Sequence, residues 1–428
     1  MMPIWMHSIK LGLERMRALM HQLGDPQDKL KFIHVAGTNG KGSTCTFLAS
    51  ALSANGYKTG MYLSPAVMDV REQFTVNGEW ISAEDYAEYA ARVCSAEVGM
   101  RSSLMLSDKD ICPNEDTGLD MLCTEFEIET AMAFLYFYEK GCDCVVLETG
   151  LGGEGDATNI VNTTVLSVFT SISEDHLGMI GNDLTEIART KAGIIKPGIP
   201  VVMADSAKEV VRVIRDECEA KGSDLTVVNT GDDVRGLKLS ACGTYQKDNA
   251  ALSLKVLDIL NGLPDGFKTD REESVRAIAG AFIPFRMEKI KDDPPFYLDG
   301  AHNPDAALRL KDTVLEMFPG YKLIFIAGMF KDKDYREVMR IMVPLAGHII
   351  AVQTPDNERA LSADMLRECI LETEGNPGED NVSALEINEA VGLALSTASE
   401  YIAHGEKACI IAFGSLAYLK YIKNILKI

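Results

Sequence analysis

Residues 33–43 read I-H-V-A-G-T-N-G-K-G-S, and this stretch decides the architecture. Phe32, Ile33 and Val35 make a short apolar run, Gly37, Gly40 and Gly42 follow, and a helix-forming run extends from Thr44 to Ala54. Strand, glycine turn and helix in this order suit a phosphate chain. Glycines let backbone N–H groups approach an anion, and the helix start adds partial positive charge. Lys41 adds a full charge, and Ser43 or Thr44 can offer a hydroxyl to Mg²⁺. Gly37, Gly40, Gly42, Lys41 and Ser43 or Thr44 are therefore the candidate phosphate residues. The pattern departs from the strict P-loop form because Gly42 stands between Lys41 and the hydroxyl residue. An ordinary glycine turn after a strand is the alternative.

Working outward, 428 residues suggest two or three domains. A hydrophobic share of 46% supports a large core. The net charge of −21 argues against long-range attraction to nucleic acid or an anionic membrane. Anionic substrates then need local basic pockets. The cysteines are scattered without zinc spacing, which fits reduced thiols in a cytoplasmic protein. No signal peptide or membrane-spanning run is legible.

Strands and helices alternate along the chain. Apolar runs at 60–63, 144–147, 165–170 and 200–203 read as strands, with helices near 83–97, 125–139, 183–192 and 207–220 between or around them. Asn77-Gly78 marks a hairpin within 69–81. Residues 101–120 read as a polar surface loop. The charged, proline-ended segment 289–295 suggests a boundary, after which the alternation restarts. The expectation is an α/β protein. A parallel-sheet ATPase domain with the phosphate loop spans 1–295, and a smaller, Rossmann-like, doubly wound domain spans 296–428.

In open α/β sheets, ligands bind beyond the carboxyl ends of the strands. Ser64, Glu148 and the pair Asp175-His176 follow predicted strands of the first domain. With the glycine loop they suit one or two Mg²⁺ ions, which keep room for phosphate oxygens. A strand-end surface acid and a loop histidine are the plainer readings of Glu148 and His176. Lys191 ends a helix, where a cation opposes the dipole. In the second domain, Asp299 and His302 follow the strand 296–298. Asp299 can accept from ribose hydroxyls, and Asn303 or Asp305 can cap the next helix.

These segments together resemble the folylpolyglutamate synthase/dihydrofolate synthase family, within the Mur ligase superfamily. The resemblance runs from G-L-E-R-M at Gly12 to F-G-S-L at Phe413. It is carried by G-T-N-G-K-G-S (37–43), S-P (64–65), L-E-T-G-L-G-G-x-x-D-A-T-N (147–159) and D-H (175–176). K-A-G-I-I-K-P-G (191–198), Y-Q-x-x-N-A-A (245–251), R-x-E (286–288), D-G-A-H-N-P (299–304) and G-M-F-K-D-K-D (328–334) extend it. It implies an ATP-dependent ligase that phosphorylates a pterin-linked carboxylate and joins it to L-glutamate, with folate or dihydropteroate as acceptor. It further implies that Ser64, Glu148 and His176 hold Mg²⁺, and that Lys191 is carbamylated and helps bind a second metal. By the same resemblance, Thr38, Asn39, Gly40, Lys41, Gly42 and Ser43 hold the ATP phosphates, Asn249, Arg286, Asp299 and His302 contact ATP, and Thr124, Phe126 and Asp156 line the pterin pocket. Lys41, Glu148, His176 and Lys191 are the expected catalytic group. Relatives suggest a monomer.

Several positions depart from the family pattern: Ala66 and Tyr245 replace histidines, Glu154 a basic residue, Phe285 a glycine and Thr190 a glutamate. These departures bear on substrate range. The alternatives are a Mur-type ligase for another carboxylate and a non-catalytic ATP-binding homologue. A cell-wall ligase would carry an extra domain ahead of the phosphate loop, where this chain has too few residues.

Overall fold

The computed structural model describes residues 10–107, 122–175, 177–229, 234 and 237–427. The chain forms two compact units, Met1–Leu237 with Asp248–Ala279, and Lys238–Lys247 with Gly280–Ile428.

The first unit contains α1 (Glu14–Gln22), β1 (Phe32–Ala36), α2 (Lys41–Ala54), β2 (Thr59–Tyr62), β3 (Phe74–Val76), β4 (Glu79–Trp80) and α3 (Ala83–Ser107). It continues with α4 (Glu125–Glu139), β5 (Cys144–Glu148), β6 (Thr164–Phe169), α5 (Leu184–Ala192), β7 (Val201–Ala204), α6 (Lys208–Lys221) and β8 (Leu225–Val228). Then come α7 (Thr244–Gly262), whose residues 244–247 count with the second unit, and α8 (Arg271–Gly280). The eight strands form one sheet in the order β4-β3-β2-β5-β1-β6-β7-β8. From β2 to β8 neighbours are parallel, and the β3–β4 hairpin adds an antiparallel edge. The hairpin turn sits where expected, with Asn77 and Gly78 both left-handed. Strands β1 and β5 are buried along their whole length, as strands covered on both faces must be. Phe32 meets Phe134 of α4 edge-on at 5.4 Å, inside a core that also gathers Leu19, Tyr62, Phe74 and Phe137.

The second unit contains β9 (Glu288–Asp292), β10 (Pro295–Asp299), α9 (Pro304–Met317), β11 (Lys322–Gly328), α10 (Tyr335–Met342) and β12 (His348–Ala351). After these come α11 (Ala363–Glu372), β13 (Val382–Ala384), α12 (Ile387–Ala403), β14 (Ala408–Gly414) and α13 (Leu416–Leu426). Its sheet order is β13-β12-β11-β14-β10-β9, parallel except for the β9–β10 pair.

Some expectations change. The segment read as a boundary at 289–295 is largely β9, an antiparallel edge strand, and the second unit takes the chain from Gly280 and also 238–247. Its charges hid it: among Glu288, Lys289, Ile290, Lys291 and Asp292 only Ile290 is buried. Such charge is how a sheet protects an open edge. Residues 101–107, read as loop, continue α3. The edge strands β8 and β13 and the helices α7 and α8 were not anticipated. Both strands are short and mostly half-buried, so each carries a weak apolar signal.

Candidate functional site

The loop after β1 opens at the centre of the first sheet. Register places Val35 opposite Glu148 of β5 and Ala36 opposite Phe169 of β6, so three strand ends meet there. Gly37 adopts φ +151, and a Cβ there would lie 1.9 Å from Thr170 Oγ1. Gly40 adopts φ +87, and a Cβ would lie 2.5 Å from Asn249 Oδ1. Both positions therefore require glycine. Gly40 is the N-cap of α2, whose interior bonds begin with Thr44 N–H to Gly40 O at 2.9 Å. Thr38 fastens the loop to the chain leaving β6. Its N–H donates to Ser171 O at 2.7 Å and its hydroxyl to Ser173 O at 2.9 Å. Lys41 Nζ donates to Thr38 O at 3.3 Å and stands 3.9 Å from Glu148 Oε1. Residues 38–43 thus form one turn from β1 into α2, with Lys41 folded back on Thr38 and Asn249 of α7 against Gly40.

Glu148 Oε2 accepts Ser64 N–H at 3.3 Å, which brings the exit of β2 beside the exit of β5. Ser64 Oγ and Thr44 Oγ1 are buried hydroxyl atoms with no protein partner. A buried hydroxyl left unsatisfied costs about 1–3 kcal/mol. An orphaned hydroxyl beside a carboxylate is a donor set that suits a hard cation. Among the described residues no three His, Cys, Asp or Glu side chains cluster as a metal site. His176 lies outside the described residues.

Lys191, at the end of α5, is brought to the loop. It is 4% exposed, and its Nζ donates to Gly37 O at 2.9 Å. Burial, with the Lys41 charge second, lowers its pKa to about 7. Burial thus favours the neutral amine over the helix-end cation.

Thr124 and Glu127 form a capping box at the start of α4. Arg15 of α1 closes on the same glutamate, with Nε 3.1 Å from Oε1. Sequence reading passed over Arg15, which reads as one of several helix charges. Phe126 lies in the first turn of α4, its ring 6.2 Å from Tyr62 and nearly parallel to it, against Gly150. Glu129, one turn on, was also missed; burial and then Glu125 push its carboxyl up to about 7. Asp156 has structural partners of its own in the loop. It is 2% exposed, and its carboxylate accepts from the backbone N–H groups of Gly150, Leu151 and Thr158 and from the Thr158 hydroxyl. These contacts fasten Asp156 into the glycine loop.

In the second unit, Asp299 Oδ2 accepts from the Tyr245 hydroxyl and Met287 N–H, both at 2.9 Å, and Oδ1 accepts from Ala301 N–H. The Arg286 charge opposes the upward push that burial exerts on the Asp299 carboxyl. His302 Nδ1 lies 2.8 Å from Gly300 O, and Asn303 rather than Asp305 caps α9. Arg286, Asp299 and His302 thus gather at the end of β10, while Asn249 belongs to the first unit.

Comparison with known proteins bears on this arrangement. Residues 285–416 match the family model described as Mur ligase, glutamate ligase domain. The chain is 33% identical to the dihydrofolate synthase/folylpolyglutamate synthase of Bacillus subtilis (strain 168), covering 99% of this chain and 98% of that protein. Mycobacterium tuberculosis folylpolyglutamate synthase, solved with ADP and AMPPCP, superimposes with a TM-score of 0.86 at 25% identity, covering 97% of this chain and 95% of the other. Escherichia coli FolC, solved with DHPP and ADP, gives 0.81 at 27% identity over 99% and 95%.

Proposed function

The chain belongs to the folylpolyglutamate synthase/dihydrofolate synthase family, and from that premise we propose that it is an ATP-dependent ligase joining L-glutamate to folates and to 7,8-dihydropteroate. The observation that carries the reading is the glycine cradle with Lys41 above it and Glu148, Ser64 and Lys191 around it. Thr38 to Ser43 and Lys41 bind the triphosphate and orient its terminal group toward the acceptor carboxylate. Phosphoryl transfer yields an acyl phosphate, which the amino group of L-glutamate attacks to give the amide and phosphate. Such a transfer needs position and charge more than covalent help.

Ser64, Glu148, His176 and Lys191 would hold Mg²⁺, Lys191 as its carbamate. The ion supplies charge neutralisation on the phosphate oxygens. Two features support this assignment: the orphaned Ser64 hydroxyl beside Glu148, and a Lys191 whose burial lowers its pKa to about 7. Thr124 sets the start of α4 so that Phe126 presents its ring to a pterin. Arg286, Asp299 and His302 form the nucleotide-contacting group of the second unit. The same proposal has the protein act as a cytoplasmic monomer. No helix among the described residues is long and apolar enough to cross a membrane.

The test is a product assay by mass. Purified protein receives ATP, Mg²⁺, bicarbonate and L-glutamate, with dihydropteroate or tetrahydrofolate as acceptor. Gain of one glutamate residue on both acceptors is expected. No gain on either, from folded and ATP-binding protein, defeats the proposal.

A further inference from the structure

Beneath the glycine loop runs a buried polar chain that phosphate binding does not use. His34 of β1 is fully buried, and its Nε2 lies 2.9 Å from Thr158 Oγ1. Thr158 Oγ1 lies in turn 2.5 Å from Asp156 Oδ1. The proton directions follow from chemistry. Burial pushes the Asp156 carboxyl up, but the Leu151 and Thr158 N–H groups that donate to it favour its ionised, acceptor-only form, so the Thr158 hydroxyl donates to Asp156. That hydroxyl then accepts from His34, which fixes the Nε2–H tautomer and leaves Nδ1 a bare acceptor. Independently, His34 Nδ1 is a buried nitrogen with no hydrogen-bond partner. A proton on Nδ1 would orphan a buried donor and turn two acceptors against each other at Nε2.

We infer that His34 is a positioning residue for the ligase reaction, donating through Thr158 to Asp156 and thereby fixing the loop that continues from Glu148. The inference rests on the proposed function for its kinetic consequence, though not for its geometry. Asp156 accepts Leu151 N–H at 2.6 Å, Glu154 N–H donates to Thr190 O at 2.9 Å, and Gly12 N–H donates to Gly155 O at 3.1 Å. The loop therefore ties to α5 beside Lys191 and to the segment ahead of α1, while its Gly150 meets Phe126. The charged and titratable neighbours are few: Lys196 acts on His34, and Asp156 acts on Lys191 and on Tyr62. Burial, then the Lys196 charge, lowers the His34 pKa to about 3, so the ring stays neutral at working pH.

The experiment uses the full chain labelled with ¹⁵N-histidine, and His34→Gln assigns the His34 signals. Long-range ¹H–¹⁵N spectra are expected to show the Nε2–H tautomer, with no titration from pH 5 to 8. An Nδ1–H tautomer, or a midpoint near 6.5, overturns the inference, whatever the protein's activity proves to be. Kinetics give the second readout. A Gln amide nitrogen can take the place of Nε2–H, so His34→Gln should hold the KM for the pterin acceptor near wild type. His34→Phe should raise it roughly tenfold, the scale of one lost buried hydrogen bond, with the KM for ATP nearly unchanged. Equal losses in Gln and Phe variants of wild-type-like melting temperature would also overturn it. Absence of glutamate transfer from the wild type defeats the proposed function and leaves the tautomer result standing.

Discussion

At the scale of single residues, burial decides what each ionisable group can do. Lys191 holds its proton only weakly because the interior penalises the ammonium and Lys41 repels it. Its pKa is depressed from 10.5 to about 7, so between those values the unfolded chain binds the proton and the folded chain does not. This group's contribution therefore makes stability rise with pH from 7 to 10.5 and fall as pH drops toward 7. Carbamate formation needs the neutral amine, so bicarbonate preincubation should activate the enzyme more at pH 8 than at pH 6. Lys191→Ala should lower turnover by at least about 100-fold, as loss of a charge-stabilising group does, while ATP binding measured by calorimetry stays near wild type. Near-normal turnover of that variant would remove the carbamate role. Phe285 shows a different cost. It stands where relatives are expected to have glycine, and its φ of +55° explains the preference. The strain is offset by full burial and by Lys423, whose Nζ lies 4.5 Å from the ring centre. Phe285→Gly would relieve about 1–2 kcal/mol of strain and lose about 3–5 kcal/mol of packing. A lower denaturant midpoint is the expected result, and an unchanged or higher one would show that strain dominates.

Elements explain why the site assembles. The loop after β1 was legible because glycine spacing, strand and helix all signalled it, and Glu148 because it closes an apolar run. Asp156 was placed in the right loop, but sequence shows a carboxylate and not the donors that fasten it there. Arg15 and the His34–Thr158 pair left no signal, because their partners lie 112 and 124 residues away in the chain. The start of α4 shows how such distant contacts act. Thr124 Oγ1 accepts Glu127 N–H at 3.2 Å, Glu127 Oε2 accepts Thr124 N–H at 2.7 Å, and Arg15 clamps the same carboxylate. Thr124→Ala should cost about 0.5–2 kcal/mol, the range for a lost N-cap. It should also raise the KM for the pterin acceptor, because Phe126 sits in the freed turn. A variant with wild-type melting temperature and acceptor KM would show that Arg15 alone fixes the turn.

At the scale of the whole molecule, the −21 charge and the anionic substrates oppose each other. ATP and the pterin carboxylate both approach a chain whose far field is negative. The loop cannot reverse that field, because Lys41 lies 3.9 Å from the Glu148 carboxylate and the two largely cancel at a distance. Binding is therefore local, through backbone N–H groups and short contacts, whereas encounter is governed by the net charge. The screening length shrinks from about 30 Å at 0.01 M salt to about 8 Å at 0.15 M. Salt should then weaken the repulsion well before it touches the short contacts inside the cradle. With Mg²⁺ held constant, kcat/KM for ATP should rise by about twofold or more as potassium chloride goes from roughly 0.01 to 0.15 M. A protein that steers anions through a basic surface shows the opposite slope. A fall in kcat/KM over this range would mean that a positive surface patch dominates encounter despite the overall charge. A flat profile would mean that a step after binding limits the rate, which single-turnover measurements at both salt concentrations would separate.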